Sequence, residues 1–267
     1  MAEINKSTPH RTRIEISDGA LIPEKEERAI FSSWRISFFG AIALLILLPL
    51  ISPDPYRRII TFLPDGIAMT FLVTVLSILF ALIVGLFTGL GRISRIRIIN
   101  RIATIYVEVV RGIPLLVQLF YIYYAMGRIV RVPRLVAAVT AMTFCYGAYL
   151  GEIFRAGIQS IPKGQMEAAL AIGMSRGQAM SRIILPQTIR VVLPPVGNEF
   201  IALLKDSSLV SILAVADLLR RGREFASKTF YYFETYTVVA LVYLVITLFF
   251  SKLVSIMEER LNRREQQ

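Results

Sequence analysis

Asn198, Glu199, Lys205, Asp206, Ser207 and Ser208 interrupt a mostly apolar stretch from about Val191 to Val215, the first four as a polar stripe. Seven residues are nearly two helical turns, so Glu199 and Asp206 share one face while Asn198 and Lys205 share the neighbouring one. Ionisable groups in an apolar helix must face protein or water, so such a stripe lines a path for a polar solute or forms a network between helices. Both uses fit the pattern, the network for example through Lys205 with Asp206. Asn198, Glu199 and Tyr146 of an earlier apolar run would supply hydrogen-bond donors and acceptors to such a solute. Glu108 with Arg111, and Glu152 with Arg155, stand at i, i+3 and read as ion pairs at helix ends, the first pair ahead of a substrate role for the same two residues.

Little else in the chain could react. The single histidine, His10, lies in a polar N-terminal stretch, and the single cysteine, Cys145, lies in an apolar run. A Ser/His/Asp or Cys/His constellation, an intrachain disulfide and a cysteine or histidine metal centre are therefore excluded. No G-x4-G-K-[ST] motif occurs, so nothing here cradles nucleotide phosphates. We assign no catalytic and no metal-binding residue, and expect no cofactor in this chain. An enzyme acting in its own right is not expected.

The elements that carry these residues belong in a bilayer. The 267-residue chain is 55% hydrophobic with a mean hydropathy of +0.61, too apolar for a soluble domain of ordinary usage. Its net charge of +11 comes mostly from arginines set between apolar runs, which argues against nucleic acid as a partner and for membrane topology. The expected fold is all-α, a polytopic membrane bundle of about six transmembrane helices. Residues 1–34 form a cytoplasmic tail without a signal-peptide core, where Glu24 and Arg28 suit an interfacial helix as well as a flexible lead-in. Residues 35–60 hold an extra N-terminal transmembrane helix, 61–257 a core of five, and 258–267 a cytoplasmic C-terminal tail.

Spans are expected over about 36–52, 67–90, 102–126, 133–150, 191–215 and 236–256, with breaks at Pro53–Pro55 and around Pro64. Arg92, Arg95, Arg97 and Arg101 place the loop after the second span in the cytoplasm, whereas Arg128, Arg131 and Arg134 fall outside, against the statistical trend. Gly85, Gly89 and Gly91 suit close helix approach in the second span. Residues 217–234 read as an outer loop with a short helix, where Arg220, Arg221, Arg223 and Lys228 could meet an extracytoplasmic partner or only solvent.

Residues 159–186 read as a helix-turn-helix in the cytoplasm. Pro162 suits a first turn, Met166, Ala169 and Leu170 share a face, and Gly173 suits a left-handed cap. Ser175 and Gln178 then form a capping box for a second helix that carries Ala179, Met180, Ile183 and Ile184.

Glu167, Ala168, Ala169, Gly173, Ile183, Leu185 and Pro186 fit the pattern EAA-x3-G-x9-I-x-LP. This resembles the EAA loop of bacterial ABC importer permeases. The stretches at 106–124, 148–165 and 198–211 resemble the polar amino-acid uptake subfamily, so that the similarity runs from about Gly66 onward and leaves out the first 60 or so residues.

The resemblance implies a permease subunit of a type I importer in the bacterial inner membrane, with both termini and the loop cytoplasmic. It implies separate ABC ATPase subunits that hold ATP and Mg2+, a second permease that is identical or homologous, and an extracytoplasmic substrate-binding protein. It also implies an amino-acid substrate. Glu167, Ala168, Ala169, Gly173 and Ser175 would couple to the ATPase, and Tyr146, Asn198, Glu199, Lys205 and Asp206 would line the substrate path. Members of the family often carry Gln where Glu199 stands, so the added negative charge implies a cationic amino acid. A gradient-driven secondary transporter would show an internal repeat, and none is found. A non-transporting membrane scaffold would need neither the polar fifth span nor the capped loop.

Overall fold

Among the described residues the first helix is α1 (Ser33–Ile51), which Ser32 caps, its hydroxyl accepting from the Arg35 backbone N–H at 3.4 Å. The computed structural model describes residues 32–263, so His10, the Glu24–Arg28 pair and residues 264–267 lie outside it. Ten more helices follow among the described residues: α2 (Pro53–Phe62), α3 (Pro64–Arg92), α4 (Arg97–Gly112), α5 (Leu115–Phe120), α6 (Arg134–Ser160), α7 (Lys163–Ala171), α8 (Arg176–Ala179), α9 (Leu185–Asp206), α10 (Leu218–Thr229) and α11 (Tyr232–Arg263). Prolines start α2 and α3, so the chain between the breaks expected at Pro53–Pro55 and around Pro64 is an amphipathic helix, Pro53–Phe62.

Four helical stretches are long and apolar enough to cross a membrane: Ser33–Ile51, Pro53–Arg92, Arg134–Ser160 and Tyr232–Leu261. A fifth is counted if α4 and the segment Leu115–Arg128 form one span bent by 102°. The 22 residues of α9 give it a length of about 33 Å. Its polar residues keep it out of that group; its α-helix starts at Leu185, before the expected Val191, and gives way after Asp206 to a 3-10 helix over Ser207–Leu213.

Long α3 and α6 form the central pair. Small residues let their backbones meet: a Cβ on Gly85 would stand 2.6 Å from the Leu150 Cβ, and one on Gly89 2.9 Å from the Gly151 carbonyl. Around them, Val73, Ala141, Met142, Leu150, Leu203 and Val210 close a buried apolar core. A second cluster, with Ile59, Leu63, Leu218, Phe225, Val238 and Val239, gathers α2, α10 and α11. Asp217 caps α10 by accepting from the backbone N–H groups of Leu219 and Arg220, both at 3.1 Å, and the Leu218 N–H donates to the Thr70 hydroxyl of α3.

Candidate functional site

The bend between α4 and α5 creates the polar cavity of the bundle. Pro114 has no N–H to continue the helix, so α4 stops at Gly112 and α5 restarts at Leu115. Carbonyls left open by such a break must be satisfied inside hydrocarbon. The Gln118 amide does this, donating to Val110 and Ile113 carbonyls at 2.8 Å each.

Arg111, in the last turn of α4, is thereby turned toward α6. Its guanidinium carbon lies 4.9 Å from the centroid of the Tyr149 ring. The expected ion pair of Glu108 with Arg111 does not form: both residues lie within α4, but the Arg111 guanidinium rests on the Tyr149 ring of α6 instead. Glu152 and Arg155 do pair, and Glu152 also bridges to Arg92 at the end of α3, tying the two central helices beside the loop.

A cavity of about 490 Å³ opens there, lined by Arg111 and the Gly112–Leu115 bend, by Tyr146 and Tyr149 of α6, and by Glu199 and Asp206 of α9. Its volume falls in the range of roughly 300–1,000 Å³ that small-molecule sites occupy. The Tyr146 hydroxyl donates to Asp206 Oδ2 at 2.8 Å. Two carboxylates, one guanidinium and two phenol rings thus face one space, able to hold an ammonium and a carboxylate at separate points.

Of the five residues expected on the path, Tyr146, Glu199 and Asp206 meet in this cavity, whereas Asn198 and Lys205 are exposed and do not line it. Helical spacing explains the split, since Glu199 and Asp206 occupy the face turned to α6. Lys205 does not pair with Asp206, whose partner is Tyr146. Tyr149 was missed as a cavity residue, and Arg111, for which a substrate role came second to an ion pair, lines the cavity. The signal for Arg111 was present: a cation just before a Gly-x-Pro break inside an apolar span.

The loop folds as two helices. Pro162 precedes α7, and Gly173 follows it at φ +86°, a conformation that L side chains rarely adopt. The N–H of Gly173 bonds the Leu170 carbonyl at 3.0 Å and that of Met174 the Ala169 carbonyl at 3.1 Å, closing the end of α7. Ser175 and Gln178 bond each other's backbone N–H reciprocally, at 3.3 and 2.9 Å.

Ala169, Ala179 and Ile184 are buried between the two helices, while Glu167, Ala168 and Ile172 are exposed. The second helix does not stop as a separate knob. It runs from α8 through a π turn over Met180–Ile184 directly into α9.

Comparison with known proteins gives consistent results. Residues 81–266 match the model of the binding-protein-dependent transport system inner membrane component. The L-cystine transport system permease protein TcyB of Bacillus subtilis (strain 168) is 40% identical over 203 residues, covering 75% of this chain and 87% of that protein. The glutamine transport system permease protein GlnP of Escherichia coli (strain K12) is 38% identical over 205 residues, covering 76% and 94%. A crystal structure of an amino acid ABC transporter with histidines superposes with a TM-score of 0.73 at 42% identity, covering 79% of this chain and 97% of that one.

Proposed function

The chain belongs to the family of binding-protein-dependent transport system inner membrane components, and we propose that it forms the membrane path of an ATP-driven importer of cationic amino acids. That it is an amino-acid permease subunit of an ABC transporter follows from the family and its relatives. The gradient-driven and scaffold alternatives do not describe that family. Because those relatives are named for different amino acids at nearly equal identity, the substrate must be argued from the cavity itself.

One observation carries the substrate class: Glu199 and Asp206 bring two carboxylates to a cavity that holds one guanidinium, Arg111. An amino acid's carboxylate would pair with Arg111, its ammonium with Asp206 beside Tyr146, and a cationic side chain with Glu199. A neutral side chain would leave Glu199 without a partner charge, which is costly in a desolvated site.

Coupling runs through the loop on this reading. Glu167, with Ala168 beside it, lies on the exposed side of α7 and is free to meet an ATPase subunit, while buried Ala169 packs α7 on α8. Gly173 and Ser175 hold the turn. ATP and Mg2+ would sit in that partner, and closure of two ATPase subunits would move the loop and, through α6 and α9, the cavity. A second permease, identical or homologous, completes the pathway, an extracytoplasmic protein delivers the substrate, and both termini face the cytoplasm.

Purification of the tagged chain from its native membrane in mild detergent tests this. Recovery of a P-loop ATPase whose hydrolysis rises with arginine or lysine and the binding protein is the expected result. Recovery without an ATPase would overturn the coupling reading, and stimulation by neutral amino acids alone would overturn the substrate class.

A further inference from the structure

Helix α1 lies outside the family match and contributes a second polar cavity. It packs antiparallel on α11. Leu45 joins the apolar cluster of Val238, Val239 and Val242, while Trp34, about three turns earlier, donates its indole N–H to the Leu248 carbonyl at 2.9 Å. Between the helices lies a cavity of about 470 Å³, lined by Ser32, Ser33 and Arg35 on one side and Ser251, Lys252 and Ser255 on the other, with the Trp34 ring between.

The lining holds two cations and four hydroxyls, and no carboxylate. Neither Arg35 nor Lys252 makes an ion pair among the described residues, and the Lys252 ammonium rests 5.8 Å from the Trp34 ring centroid. Such a set, two cations beside hydroxyls that can donate and with no anion among them, suits a phosphate diester, whose oxygens only accept.

Depth decides between a soluble phosphate and a lipid. The apolar stretch of α1 begins at Ile36 and that of α11 ends at Phe250, so the cavity stands at the edge of the hydrocarbon, where tryptophan concentrates. Directly below it Ile36 and Phe39 are 59% and 61% exposed, a surface that acyl chains can cover and a free anion cannot use.

We propose that this cavity binds the phosphate headgroup of an anionic phospholipid in the cytoplasmic leaflet, with Arg35 and Lys252 as its charge partners. The assignment does not depend on which amino acid is carried. Each cation near such a surface strengthens binding to anionic lipid, and two together are worth roughly 30-fold in affinity.

Trp34 is the only tryptophan in the chain, so its fluorescence reports on this site alone. The full chain in detergent, titrated with phosphatidylglycerol carrying brominated acyl chains, should show saturable quenching, with brominated phosphatidylcholine far weaker. The double variant Arg35→Gln, Lys252→Gln should need about 30-fold more phosphatidylglycerol, and the charge-conserving Arg35→Lys, Lys252→Arg should keep the wild-type curve. Equal quenching by the two lipids, or an unchanged curve in the neutralised variant, overturns the proposal. Loss of quenching on adding millimolar inorganic phosphate assigns the site to a soluble anion instead. Absence of saturable quenching in the full chain, with quenching gained only after removal of residues 1–31, shows that the chain's own N-terminal acids fill it. Either result overturns the lipid assignment while leaving the permease assignment untouched.

Discussion

Tyr146 of α6 donates its hydroxyl to Asp206 at the last residue of α9, 2.8 Å away and sixty residues apart in the chain. This bond holds one carboxylate of the cavity in place and joins the two helices that flank the loop. Tyr146→Phe removes the donor and leaves the Asp206 oxygen without it, at a cost of about 1–3 kcal/mol. We expect roughly a tenfold rise in the substrate concentration that half-saturates uptake. Uptake kinetics in membrane vesicles check it, and an unchanged half-saturation would show that Asp206 needs no such restraint.

Glu199→Gln should shift preference from cationic toward neutral amino acids by about 10- to 100-fold, the worth of one charge-assisted hydrogen bond. Competition between labelled arginine and unlabelled glutamine reads the ratio directly. By contrast, Asn198→Ala and Lys205→Ala, whose side chains do not line the cavity, should leave that ratio within about twofold.

Replacing Glu167 and Gly173 together by alanine should abolish uptake while the protein still reaches the membrane in normal amount. No atom crowds Gly173, so alanine there suffers only from the backbone at φ +86°, about 1–2 kcal/mol. Ser175→Ala removes the capping bond and costs about 0.5–2 kcal/mol. Co-purification of the ATPase with each variant separates lost docking from lost folding. Intact uptake in the double variant would refute the coupling role.

A pH dependence follows from Asp217, which lies outside the spans. Burial raises its carboxyl from the ordinary 3.8 to about 6, against the opposing effect of the backbone N–H groups it caps. The folded state therefore holds this proton more tightly than the unfolded one. Its contribution to stability is complete below about pH 4 and is lost as pH rises through about 6. The thermal midpoint in detergent should be higher at pH 5.5 than at pH 7.5. Asp217→Asn, which keeps a good cap, should flatten that slope; an equally steep slope in the variant would place its origin elsewhere.

Local grammar made much of this legible in the sequence. The capping box at Ser175, the left-handed cap at Gly173 and the shared face of Glu199 and Asp206 all depend on residues within two turns of each other. The contact of Arg111 with Tyr149 was hidden because the bend at Pro114 and the packing on α6 bring the two together only in the fold. The extent of α9 was misread for a similar reason, since hydropathy marks apolar stretches and the polar start of the helix, at Leu185–Arg190, carries no such mark. Likewise α2 was read as a break because its prolines signal a stop, although they equally suit a first turn.

From Arg176 to Asp206 the chain follows one helical path, through the π turn at Met180–Ile184. Each residue along such a path rotates its successors by about 100°. The angular setting of Glu199 and Asp206 is therefore counted from the loop like the index on a dial. A single insertion between Ser175 and Glu199 would swing both carboxylates to the wrong side of the helix without altering any residue of the cavity. Loops can accordingly be exchanged between relatives only where that residue count is kept.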